Sequence, residues 1–141
     1  MNAKTVRILY WTLTCLFALF TLGDAFGGIT KQLAGIDVLK HLGYPDYIMP
    51  FLGVAKLLGV AAILQQKLQT IKEWAYGGFA FNFIGAFVSR AVLGDAAGML
   101  LIPLVALAIM FASYFLWRQM KGNELDISFE KRTILWKQMK F

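Results

Sequence analysis

The chain is short of nearly everything that solution chemistry uses. Of its 141 residues, one is cysteine, one is histidine, eight are acidic, and only 16% are charged. A single cysteine, Cys15, excludes an intrachain disulfide, a Cys-x-x-Cys redox centre and a cysteine zinc site. Lying within an apolar run, it is expected to be an inert, packed thiol. A single histidine, His41, excludes bis-histidine haem ligation within one chain, and its sequence surroundings suggest no metal site. There is no Gly-rich phosphate loop, no dinucleotide fingerprint and no nucleophile elbow, so no conventional enzyme motif is present. Three prolines leave long stretches free to be helical.

What fills the chain instead is apolar. Hydrophobic residues make up 59%, mean hydropathy is positive, and soluble domains typically carry about 25% charged residues. Four long apolar segments occupy residues 8–29, 47–64, 74–92 and 97–117. Each approaches the ~20 residues a helix needs to cross ~30 Å of hydrocarbon. The expected fold is an all-α membrane protein, a left-handed four-transmembrane-helix bundle over residues 1–117, followed by a basic tail at 118–141. Lys4 and Arg7 before the first run resemble a secretory leader. The run is longer than the ~7–15 residues of a leader core, however, and retention is expected.

Basic residues set the expected orientation. With the N-terminus inside, the cytoplasmic side holds Lys4, Arg7, Lys67, Lys72, Arg118 and Lys121, and the outer side only Lys31, Lys40 and Arg90, so both termini are expected in the cytoplasm. The net charge of +6 sits at span ends and in the tail, a placement that suits anionic lipid rather than nucleic acid. The expected surroundings are therefore the lipid bilayer and another membrane protein or a homo-oligomer.

Helical spacing indicates packing faces. Thr14, Ala18, Thr21, Ala25 and Gly28 form a small-residue row in the first span. Ala75, Gly78, Asn82, Gly85 and Ser89 do so in the third, and Gly53, Ala55, Gly59 and Ala62 in the second. Such rows let helix backbones approach closely in lipid. Phe79, Phe83 and Phe87, on the other side of the third span, are expected to face lipid or fill gaps. Pro103 is expected to kink the fourth span, with Tyr114 and Trp117 at its inner interface. Between the first two spans, Leu33, Ile36, Leu39 and Leu42 share one helical face, with Gly43 as a stop and Pro45 beyond. They predict a short interfacial helix. The tail mixes Phe129, Ile134 and Trp136 with Lys131, Arg132, Lys137 and Lys140, and reads either as a surface-lying amphipathic segment or as a frayed end.

Chemistry inside the membrane falls to a few polar residues. Lys56 lies about 13 Å from the outer end of its span, Asn82 about 12 Å from the inner end of the third, and Asp24 about 7–8 Å from the outer end of the first. An ammonium at mid-membrane costs at least ~2.5–3.5 kcal/mol on insertion scales. These depths predict a buried Asp24–Lys56–Asn82 cluster, either structural or ligand-binding, with Gly53, Gly59, Trp74, Tyr76, Gly78 and Gly85 as candidate lining residues of a pocket. Arg90 and Glu73 read as interfacial anchors.

Several of these stretches resemble one family. Leu42-Gly43-Tyr44-Pro45, Gly53-x-x-Lys56-x-x-Gly59, Lys72-Glu73-Trp74-Ala75-Tyr76-Gly77 and Asn82-x-x-Gly85-Ala86 are similar to the second and third helices of the DoxX-like membrane proteins. The chain departs from that pattern at Gly23-Asp24, where a glycine followed by a lysine is expected, and at Arg90, where a histidine is more usual. The resemblance implies a small four-helix protein of a bacterial inner membrane. Three roles follow as expectations: a non-catalytic accessory or assembly module, a quinone-binding subunit of a membrane oxidoreductase with Lys56 and Asn82 donating to a quinone carbonyl, or a small solute or proton carrier. No cofactor other than a quinone is expected.

Overall fold

A computed structural model describes residues 2–140. They form five helices: α1 (Ala3–Ile29), α2 (Leu33–His41), α3 (Ile48–Leu64), α4 (Gln69–Leu93) and α5 (Ala97–Met139). α1, α4 and α5 are long and apolar enough to cross a membrane, while α3 is an apolar helix of 17 residues. The expected all-helical membrane fold is present, with strands absent among the described residues. α1 packs against α3 and α5, and α4 against α5 and α3. Most large apolar side chains on the outer faces, such as Leu19, Phe20, Leu58 and Val92, are exposed, as suits a protein whose solvent is lipid.

The small-residue row of α1 does what its spacing predicts: Thr14, Ala18, Thr21, Ala25 and Gly28 are all buried. The closest approach is to α3. A Cβ on Gly53 would lie 2.8 Å from the Ala25 carbonyl oxygen, and one on Gly28 would lie 3.1 Å from the Met49 carbonyl oxygen. Only glycine admits backbones this close. The α3–α4 link is locked by Gln65, whose Oε1 accepts from the Leu68 N–H at 2.7 Å and whose Nε2 donates to the Ala62 and Leu68 carbonyls.

Several expectations are corrected. Cys15 is exposed rather than packed, because it lies about a quarter-turn from the small row, on the lipid-side stripe with Leu19, Leu22 and Phe26. Of the two places open to Phe79, lipid or a gap between helices, it takes the second: it is buried, edge-on to Phe17 with ring centroids 5.1 Å apart, and Phe83 packs beside them. α4 turns its aromatic row, Tyr76, Phe79 and Phe83, toward α1 and α5. Its small-residue row therefore does not mediate close contact: Gly78 and Gly85 have nothing within 4 Å of an added Cβ. Trp117 is a core residue, 1% exposed and stacked on Tyr76, not an interface anchor. The tail is helical rather than frayed: α5 runs unbroken to Met139 as a 43-residue helix.

Gly53→Ala should therefore destabilise the fold by about 1–3 kcal/mol, the usual cost of overpacking. Gly77→Ala, with nothing within 4 Å, should be neutral or stabilising by up to ~1 kcal/mol through helix propensity. Reversible unfolding in mixed detergent micelles checks the contrast, and equal effects would refute the tight α1–α3 contact.

Candidate functional site

The glycine contact between α1 and α3 fixes the partners of the first polar site. Asp24 precedes Ala25, and Lys56 follows Gly53 by one turn, so the same close approach that buries Ala25 brings the two side chains together. Lys56 Nζ donates to Asp24 Oδ2 in an ion pair. The lysine side chain is 19% exposed and the aspartate 52%, so the pair is open on the acid's side.

Both residues line a cleft of about 710 Å³ enclosed by α1, α3 and α4 beneath α2. Its wall on α4 is the small-residue row: Asn82, Gly85, Ala86 and Ser89, with Arg90 at the α2 end. Phe51 and Phe81, 70% and 84% exposed, stand at its rim. A second cavity of about 190 Å³ continues between α3 and α4, sharing Leu52, Lys56 and Asn82 with the first and adding Gly59 and Gly78. The Asn82 side chain makes no hydrogen bond among the described residues, and it lines the cleft with the ion pair. The structure thus brings Asp24, Lys56, Asn82, Gly53 and Gly85 to one cavity, and Gly59 and Gly78 to its extension. Trp74 and Tyr76 stand apart: Trp74 is 80% exposed on the outer face of α4, and Tyr76 is a core residue.

α2 covers the cleft without being part of the core. None of its residues is buried, and its main packing partner is α3. It is tied at its C-terminal end. His41 Nε2 bonds to Asp95 Oδ1 at 2.6 Å, Arg90 Nη1 donates to Asp95 Oδ2 at 3.2 Å, and the Tyr44 and Ser89 hydroxyls are 2.8 Å apart. Asp95 therefore joins α2 to the α4–α5 turn. The hydrogen bond from His41, with a smaller contribution from Arg90, holds its carboxyl below the usual carboxylate range. A carboxylate with a lowered folded-state pKa adds stability that is in place above its ordinary pKa and is lost as pH falls through the lowered one. The connections flanking α2 carry positive φ at Lys31 (52°) and Gly43 (79°), where the chain turns sharply.

A second polar site lies toward the other end of the bundle, and sequence reasoning missed it. Lys72 was assigned to a basic flank, but α4 begins at Gln69, and Lys72 is fully buried. Its ammonium donates to the Tyr10 hydroxyl and lies 5.1 Å and 5.2 Å from the Tyr10 and Trp117 ring centroids. No acid pairs with it among the described residues; ring faces stabilise it instead. One turn further in, the Ser113 hydroxyl bridges Thr14 at 2.7 Å and Tyr76 at 2.9 Å. The available signal was the aromatic spacing: Tyr10, Tyr76 and Trp117 mark a cage only once helices are paired. Glu73 is drawn into an ion pair with Arg118 at 3.1 Å.

A profile of the DoxX-like family matches residues 12–113. The chain belongs to the DoxX-like family. The matched region holds the cleft, the Asp24–Lys56 pair and Lys72, while Tyr10 and Trp117 around that lysine lie just outside it, and it ends before the extension of α5. Comparison with curated proteins and with solved structures finds no match.

Two outcomes test the geometry. Asp24→Ala should destabilise the DoxX-like protein by about 1–3 kcal/mol, less than the ~3–5 kcal/mol of a fully buried broken pair, because Asp24 is half open. The Asp24→Ala/Lys56→Met double variant should recover most of that loss, and strict additivity would mean the two residues do not interact. Asp95→Asn should accelerate amide exchange across Leu33–His41 while leaving α1, α4 and α5 protected, which hydrogen-exchange mass spectrometry reads directly.

Proposed function

We propose that this DoxX-like protein is a ligand-binding module of a larger membrane system. Its outer cleft would take an amphiphile with a hydrogen-bond-accepting head, of which a quinone is the representative class. The observation that carries the reading is the cleft of about 710 Å³ with Lys56 and Asn82 in its wall. That volume falls within the ~300–1,000 Å³ of small-molecule sites, which are mostly apolar with a few convergent polar groups.

The residues fit such a head group. An ammonium and an amide N–H donate to a carbonyl oxygen, and the hydrogen bond to Asp24 aims the lysine. The small side chains of Gly85, Ala86 and Ser89 leave room for a flat ring against α4. A quinone supplies two-electron, two-proton chemistry when bound. The chain's own residues bind and orient the head, while electrons come from a partner protein. The module is thereby accessory to that partner, whether in transfer or in assembly.

The same reading extends to topology. α3, with 17 residues, spans about 26 Å at the helix rise, the short end of what crosses a bilayer. With α3 as a fourth crossing, α2 lies at the outer interface and both termini face the cytoplasm of a bacterial inner membrane. Lys4, Arg7, Lys67, Arg118 and Lys121 at that end support the orientation.

Native mass spectrometry of the protein released from its own membranes tests the proposal. The wild type should carry an adduct of quinone mass, lost in Lys56→Met and in the cleft-filling Gly85→Leu. A bare chain, or one carrying only a protein partner in all three forms, would refute ligand binding.

A further inference from the structure

We infer that the extension of α5 beyond the bundle is a membrane-surface helix, bending at Gly122 to lay residues 123–139 on the anionic leaflet from which α5 emerges. Every residue from Glu124 to Lys140 is exposed, including Leu125, Phe129 and Trp136 at 55%, 64% and 65%. A helix this exposed and this apolar requires a covering surface, since patches of this kind are not left in water.

The distribution of side chains around the helix identifies the surface. Gln119, Asn123, Asp126, Glu130, Thr133 and Lys137 recur at steps of three and four and form one wholly polar row. The remaining sector carries Leu125, Ile127, Phe129, Ile134, Trp136 and Met139. Asp126 and Glu130 lie on the polar row together with Lys137, while Lys131, Arg132 and Glu124 lie among the apolar residues. Long basic side chains flanking an apolar sector reach headgroup phosphates while their stems stay in the acyl boundary. Residues 118–141 hold six basic and three acidic residues, which favours anionic lipid.

A second copy of the chain fits less well. The best coiled-coil seam, Leu125, Phe129, Arg132, Trp136 and Met139, would set Arg132 against its own copy and leave Ile127 and Ile134 uncovered. A two-stranded seam is narrower than the apolar sector present here. A bilayer covers the whole sector, and α5 already emerges from one. The bend has a place to occur: Gly122 and Asn123 are both weak helix formers, and an added Cβ at Gly122 would meet nothing within 4 Å.

The test uses the full chain with Cys15→Ser, spin-labelled at Ser128→Cys in the apolar sector or at Glu130→Cys on the polar row, in phosphatidylcholine vesicles with and without phosphatidylglycerol. With phosphatidylglycerol, the label at 128 should collide with oxygen and be shielded from an aqueous nickel complex by at least about threefold relative to 130. Lys131→Glu/Arg132→Glu should abolish that shielding. Equal nickel access at the two positions would mean a projecting helix and overturn the inference. So would spin–spin broadening between chains, which would mark a second copy as the cover, and so would shielding that survives the double substitution.

Discussion

The contact between Gly53 of α3 and the Ala25 carbonyl of α1 is the constraint from which most of the molecule follows. It brings two backbones together where an added Cβ would be 2.8 Å from a carbonyl oxygen, and so it fixes the register of α1 against α3. That register delivers Asp24 to Lys56. It also commits α3 to α1, so that at the α2 end α4 is separated from that pair by its own small side chains. The cleft is the space this leaves. In lipid, where burying apolar surface gives no gain between helices, close packing decides which faces meet. A single tight seam can therefore determine both a fold and a vacancy.

The two interior lysines reveal two ways of keeping an ammonium away from water. Lys56 has an acid partner and one side open, whereas Lys72 has a phenol, two ring faces and no opening. The difference matters for function. A fully enclosed cation held by aromatic rings rigidifies the packing of α1, α4 and α5 around Tyr76, Ser113 and Trp117. A half-open ion pair retains donor capacity that a ligand can use.

Much of this was legible in the sequence, and the failures share a cause. The helices, the α1 small-residue row and the short helix after Thr30 follow from periodicity and helix stops, which are local. The Asp24–Lys56 pairing also followed, because depth along a helix is local arithmetic. Rotation was not legible. Small residues read as contact-forming in both α1 and α4, yet Gly78 and Gly85 of α4 face open space, because the large aromatic row about a quarter-turn away on α4 took the core. Trp117 and Lys72 were misplaced by the same ambiguity: an aromatic or basic residue near a span end suits the lipid interface or the interior equally until its neighbours are known. The His41–Asp95 tie, which links residues 54 positions apart, had no local signal at all.

Small residues therefore carry opposite meanings in this fold, and the difference is set by what stands beside them. On α1, from Ala18 to Gly28 the inward face is the small row, since Leu19, Leu22 and Phe26 lie exposed on the flank and the large inward residues Tyr10 and Phe17 come earlier; the neighbouring helix closes on it. On α4, Tyr76, Phe79 and Phe83 supply the inward face, and the row of Gly78, Asn82, Gly85 and Ser89 is left beside it with nothing bulky to fill the gap. A helix that spends its large side chains on one face and glycines on the adjacent one, opposite a half-open ion pair, builds a concavity with a polar wall. Replacing those glycines with leucines would have packed α4 against α3 and satisfied the lipid equally well. The cavity thus rests on residues that packing alone does not require, and this is the physical argument for reading it as a binding site.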